Sequence, residues 1–535
     1  MAFRDSINEI LFSVERLCYT DDKKENANPI LNIKNEINQM KERLDEPLRV
    51  AVVGIMKAGK STLMNAIMGE NVVCTGTLET TYTVSWFKYA PTASIQIVFN
   101  DGTSLKEEFK NLNKWSVRAF EKENPRINDV KYLIVYYPSE ILKLIEFIDT
   151  PGLNSSYQLD AQNTLNFLGI KNKEEAKKLE DRTMKESSKA DAILYAFNHS
   201  VGSEDKELLE SFHNSSQNIK STPINSIGVL TKIDLTGAWN VFENETPTKL
   251  SMPVAETMME KPMIKKLLFH VMPVTAKSVE EFHNITEDEK DLLKELSKLE
   301  KCDIENLLED ISYFVNECDD DELTQKINLK SKNIRKNLVA KLGAFGIYDI
   351  SKHLKSTEFD EILPELKKDC GIIEVEETLK NHFGNRAFLI KSQYIFNHLY
   401  AYISDIQRKY QDNMYVENVC NQIKNIIEDF QTNEHNRKEL EVLQAYYNGE
   451  VDFTDEEIQD FLSVTGEYGK LVEDRLQVKR NSKISEMRDI AKIKTDYWND
   501  KQNGFFVEQI YKDMCRIISH SYEIIYYHLN ALCEE

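Results

Sequence analysis

Apolar residues first recur at helical spacing, at Ile7, Ile10, Leu11, Val14 and Leu17, and again, after the polar break TDDKKENANP, at Ile30, Ile33, Ile37 and Met40. Positions three and four apart share one helix face, so residues 1–45 read as two amphipathic helices. The pattern changes at LRVAVVG (48–54), a short valine-rich run closed by glycine, as expected of a strand buried on both faces. Similar runs follow at SIQIVF (94–99), YLIVYY (132–137), IEFID (145–149), AILYAF (192–197) and SIGVLT (226–231), separated by helical or irregular stretches. This alternation predicts a mixed, mainly parallel sheet flanked by helices. After VMPVTAKS (271–278) the strand signals fade, and charged segments with apolar residues three and four apart take over, such as Ile395, Leu399, Tyr402 and Ile406. The expected fold is an α/β domain over 46–285 and an elongated α-helical bundle over 286–535, with the helices of 1–45 packing back on the bundle. Gly343–Gly346, Pro364, Gly371, Gly449, Gly466–Gly469 and Gly504 mark candidate turns.

Composition narrows the function. Across 535 residues, 29% are charged and the formal net charge is −22, which argues against nucleic acid as a partner, since a phosphate backbone is held by Lys and Arg. The eight cysteines show no CxxC spacing, so reduced thiols explain them better than a disulfide framework or a zinc site. No apolar run reaches membrane-spanning length and the start MAFRDSINEI has no signal-peptide core, so the expected location is cytoplasmic, with any membrane contact peripheral.

Four short motifs carry chemistry, each at the end of an expected strand. In GIMKAGKST, Gly54 and Gly59 bound a loop whose backbone N–H groups, through Lys57, Ala58 and Thr62, surround phosphates. Lys60 neutralises β/γ charge and the Ser61 hydroxyl ligates Mg²⁺. At the end of IEFID, Asp149 of Asp149-Thr150-Pro151-Gly152 can reach that magnesium, and the Gly152 N–H can sense a γ-phosphate; DTPG is also ordinary turn chemistry. In Thr231-Lys232-Ile233-Asp234, the aspartate can accept from the N1–H and exocyclic amine of guanine while the lysine stem lies along the base. Adenine lacks that donor pair, which selects GTP over ATP. Thr275-Ala276-Lys277 resembles the SAK loop, where a backbone N–H supports the guanine oxygen.

Lys60 and Asp149 lie 89 residues apart, a gap resembling the enlarged GTPase domains of the dynamin superfamily. STLMNAIMGENVVCTGTLETTYTV is similar to the helix and switch loop of bacterial dynamin-like proteins, with Cys74 and Glu79 where prolines are usual. The resemblance covers roughly 48–280. It implies that Thr81 ligates magnesium and helps hold the attacking water. It also implies a GTP-hydrolysing enzyme that self-associates through its GTPase domains, or pairs with another dynamin-like protein, and remodels or tethers membranes. A looser likeness covers GIIEVEETLKNHFGNRAFLIK (371–391). The alternative function is a nucleotide-controlled scaffold that binds protein partners without touching lipid.

Leu153 follows DTPG where Ras-like enzymes carry a water-orienting glutamine. Dynamins place a serine at the Lys57 position beside a monovalent cation, and guanylate-binding proteins an arginine finger, so Lys57 is a candidate for supplying that positive charge. For lipid contact the candidate is 324–348, where residues 324–341 hold Lys326, Lys330, Lys332, Arg335, Lys336 and Lys341 with no acid. The competing reading is a surface paired with acidic neighbours.

Overall fold

The computed structural model describes residues 2–18, 29–54, 57–73, 83–116, 120, 122–149, 190–198, 225–236, 246–318, 327–433, 435–447, 450–469, 471–504 and 508–534. Within them, nine strands form one sheet in the order β4-β3-β5-β2-β6-β1-β7-β8-β9. The strands are β1 (Leu48–Val53), β2 (Ser85–Tyr89), β3 (Ser94–Phe99), β4 (Ser104–Glu108), β5 (Val130–Tyr137), β6 (Ile145–Asp149), β7 (Ala192–Phe197), β8 (Ser226–Leu230) and β9 (His270–Pro273). From β6 to β9 the neighbours are all parallel. Beyond β6 the sheet turns mixed: β2 is antiparallel to β6 but parallel to β5, and β3 is antiparallel to β5 and β4.

Six of these strands coincide with the apolar runs read in the sequence, and β9 overlaps the start of VMPVTAKS. β2 and β4 are additions. β4, SLKEE, has no apolar signal because it is an edge strand whose charged, mostly exposed side chains discourage pairing with another chain.

Alternation along β1 builds a core on each face. Val50 and Val52 join Leu63, Ile67, Leu133 and Phe147, while Ala51 and Val53 meet Trp86, Ile148, Tyr195 and Phe197. The first core continues through Leu292, Leu338, Phe345, Ile372 and Ile390. This core runs on past position 285. Among the described residues no strand follows β9.

The helices Ala2–Leu17 and Pro29–Asp45 bury Ile7, Leu11, Val14, Ile33 and Ile37 against Ile395, Leu399 and Ile403 of helix Asn385–Lys409 and Cys420 and Ile423 of helix Met414–Asn433. A further core gathers Phe461, Trp498, Ile518 and Tyr522. The seven cysteines among the described residues are free, and no helix there is long and apolar enough to cross a membrane.

Part of the basic run is paired within the chain, while Lys332 and Lys336 are exposed. Lys330 pairs with Asp288 and Asp291, Lys341 with Glu289, and Arg335 is buried with its guanidinium donating to the carbonyls of Val315 and Lys330. Gly343, expected as a turn, divides Lys332–His353 into two helical stretches at a kink, its own backbone being non-helical (φ 69°, ψ 178°). Gly449 and Lys326 lie outside the described residues.

A buried ion pair fastens the helix before β1 to the sheet. Arg43 Nη2 bonds Asp191, whose Oδ2 also accepts from the Arg49 N–H at 2.8 Å, and Lys391 Nζ donates to the Glu46 carbonyl at 2.6 Å. Both Arg43 and Asp191 are buried. Arg43→Ala leaves the Asp191 carboxylate without its counter-charge, so a stability loss of about 3–5 kcal/mol is expected, read as a lower urea midpoint with little change in slope.

Candidate functional site

The site lies at the carboxyl ends of the parallel strands, around β1, where the crevice of an open α/β sheet receives ligands. Gly54 leaves β1 with φ 151°, and a Cβ there would stand 2.1 Å from the Ala196 carbonyl oxygen of β7, so only glycine lets the loop begin. The chain then passes through Lys57 (φ 62°) and Gly59 (φ 88°) into helix Lys60–Met68. Ser61 and Thr62 occupy its first turn, where backbone N–H groups and the helix dipole favour an anion.

Lys60 is buried and its Nζ donates to the Gly54 carbonyl at 3.0 Å. Burial draws its pKa down to about 8, opposed by the Asp149 carboxylate. Asp149 ends β6 in register with Val52, is 1% exposed, and neither carboxylate oxygen has a hydrogen-bond partner. Burial pushes it up to about 7 against the pull of Lys60. A buried carboxylate lacking hydrogen bonds, close to Lys60 at the start of the helix that carries Ser61, fits a hard divalent cation: Ser61 and Asp149 would hold Mg²⁺.

The third motif is built onto the first. Thr231 Oγ1 donates to the Ala58 carbonyl at 2.5 Å and Lys232 Nζ to the Lys57 carbonyl at 2.7 Å. Lys232, also left-handed (φ 59°), has its pKa lowered by burial and then by the Lys57 charge; Asp234 opposes and Lys277 adds to the lowering. Lys57, Lys232, Asp234 and Lys277 are thus electrostatic neighbours. Ala276 is buried at the mouth of β9 and precedes helix Lys277–Glu281.

Thr81 and Gly152, with Cys74, Glu79 and Leu153, lie outside the described residues. Two residues support the site in ways the sequence did not show, Asn65 not being picked out at all and Gly343 being read only as a turn. Asn65, in the buried face of helix Lys60–Met68, donates to Glu280 (2.7 Å) and the Val73 carbonyl (2.8 Å) and accepts from the N–H groups of Val72 and Val73. It ties the phosphate loop's helix to the one after Ala276, and a polar residue on an apolar helix face was its signal. Gly343 is the second: a Cβ there would lie 3.6 Å from Asp234 Oδ2, which brings the kink of Lys332–His353 beside that aspartate.

A phosphate-binding loop, a strand-end aspartate and a TKxD turn, converging on one sheet, define a GTPase domain. Residues 50–233 match the model of the dynamin family. The chain is 35% identical over 133 residues to the bacterial dynamin-like protein of Nostoc punctiforme (23% of this chain, 19% of that one). It is 28% identical over 136 residues to dynamin-like protein 2 of Campylobacter jejuni (25% and 21%). With the isoniazid-induced protein IniC of Mycobacterium tuberculosis it shares 31% over 133 residues (25% and 26%). The chain thus spans about a fifth to a quarter of these relatives' own length. A solved oligomerised bacterial dynamin pair, described as sensing and tethering membranes at long range, aligns with 99% of this chain and 74% of its own, at 13% identity and a TM-score of 0.35.

Proposed function

We propose that the whole chain hydrolyses GTP to GDP and phosphate with Mg²⁺, and that contact between GTPase domains of two copies, or of this chain and a paired dynamin-like protein, drives motion of the helical part against a membrane. The observation that carries this reading is the joining of the phosphate loop to the base-reading turn through Thr231–Ala58 and Lys232–Lys57. In this account residues 46–285 bind and cleave the nucleotide, and 286–535, with 1–45 returning to them, form the neck and trunk. Lys60 and the loop N–H groups of Lys57 to Thr62 hold the phosphates. Asp234, Lys232 and the Ala276–Lys277 turn hold guanine. Ser61, Asp149 and Thr81 hold the metal, which when bound offsets charge on the β/γ oxygens, and the Gly152 N–H and Thr81 position the water.

The second reading, a nucleotide-controlled scaffold that binds proteins and leaves lipid alone, is favoured by one observation: Lys330, Arg335 and Lys341 are spent on internal partners. One experiment separates the two. Thr81→Ala should bind GTP nearly normally but hydrolyse it at least about tenfold more slowly, so it holds the GTP state. Co-sedimentation of wild type and Thr81→Ala with anionic liposomes, in GTP, in GDP and without nucleotide, should show the variant retained in GTP. No sedimentation in any state favours the scaffold, and unchanged turnover removes Thr81 from the site.

A further inference from the structure

Beyond the kink of helix Lys332–His353, Asp349 and His353 stand four residues apart and so on one face. Asp369 closes helix Leu363–Asp369 against them: His353 Nε2 lies 3.0 Å from Asp369 Oδ2 and 3.6 Å from Asp349 Oδ1. One ligand atom from each residue lies within 4.8 Å of both others. Asp349 is fully buried, and neither of its oxygens has a hydrogen-bond partner. A carboxylate buried without hydrogen bonds is costly unless a cation or a proton meets it.

We propose that Asp349, His353 and Asp369 bind a first-row divalent metal ion of the zinc class, with water completing the coordination. Bonds of about 2.0–2.1 Å in a tetrahedral zinc site place ligand atoms about 3.3 Å apart, a spacing that the two His353 distances of 3.0 and 3.6 Å bracket. The imidazole selects against Mg²⁺ and Ca²⁺, which prefer oxygen ligands alone. Two positive charges on the ion balance the two carboxylates.

The competitor is Lys352, whose ammonium is 3.8 Å from Asp349 and 3.6 Å from Asp369 and whose side chain is 47% exposed, free to turn toward water when an ion enters. The site is separate from the nucleotide loops but mechanically joined to them. Thr248 Oγ1 donates to the Asp369 carbonyl and the Thr275 N–H to the Cys370 carbonyl, each at 3.1 Å. An ion here fixes the segment against which the Ala276–Lys277 turn is held.

The test does not depend on GTP hydrolysis. The full chain, stripped with a chelator and kept free of nucleotide, is titrated with Zn²⁺ by calorimetry and with Co²⁺ by visible absorption. One saturable site with the spectrum of a tetrahedral ion is expected. His353→Gln and Asp369→Asn should weaken it about tenfold or more, with unchanged circular dichroism. Lys352→Gln, an exposed change that carries the test if the ligand variants fail to fold, should tighten Zn²⁺ binding by removing the competing ammonium. Absence of a saturable site, ligand variants that bind Zn²⁺ as tightly as wild type, or a Lys352→Gln affinity equal to wild type would each overturn the proposal and leave Lys352 and His353 as the standing counter-charges.

Discussion

Asp234→Asn should lower GTP affinity by about two orders of magnitude and raise that for XTP. The Asp234 carboxylate sits in the turn Ile233–Thr236 after β8, held to the phosphate loop through the preceding Thr231 and Lys232. Guanine presents two donors to it, and each hydrogen bond to a charged group is worth about 1.5–3 kcal/mol, so losing the pair costs at least about a hundredfold. Asparagine turns an NH₂ toward the base; guanine's amine meets it badly, whereas the xanthine oxygen accepts from it. Competition binding with GTP, XTP and ATP reads the change directly. A variant that keeps the wild-type order of affinities would show that Asp234 does not face the base.

Lys57→Ala should reduce GTP turnover by one or more orders of magnitude while leaving GTP affinity nearly unchanged. Lys57 is exposed and holds a left-handed backbone that costs a lysine energy, and its carbonyl is gripped by Lys232, itself left-handed. Strain maintained in two residues that touch each other at the phosphate loop is the kind of outlier that marks a working position. With Leu153 replacing the glutamine of Ras-like enzymes, a positive charge at Lys57 is the group left to offset charge growing on the bridging oxygen. Alanine keeps the Cβ and its backbone requirement, so the comparison isolates the ammonium. If the role is right, the wild type also turns over at the same rate in buffers without potassium or sodium. Normal turnover by Lys57→Ala would make Lys57 a surface residue only, and a potassium requirement in the wild type would assign that charge to a monovalent cation.

The parallel half of the sheet was legible because it is buried on both faces: VAVV, EFID and LYAF can be little else. Its glycines and aspartates then marked the strand ends where ligands bind. What escaped lies where the deciding partner is distant in sequence. SLKEE becomes β4 only because β3 offers it an edge. Asn65 looked like one polar residue in a helix, and its partner Glu280 lies far along the chain. Asp349 and His353 share a helix, but Asp369 joins them from another. Gly343 was read as a break and is one, a non-helical residue between two helical stretches, but that the break lies beside Asp234 was not legible from the local sequence. At 324–341 the run of positive charge left two readings, and Lys330 and Lys341 pair with Asp288, Asp291 and Glu289, acids that lie some forty to fifty residues earlier in the chain.

The most direct measurement is steady-state phosphate release by the full chain with Mg²⁺, with GTP and ATP supplied in parallel over a range of protein concentrations. The account predicts cleavage of GTP with no measurable cleavage of ATP, and a rate per molecule that rises with protein concentration as GTPase domains meet. Equal turnover of the two nucleotides, or none of GTP, would contradict it.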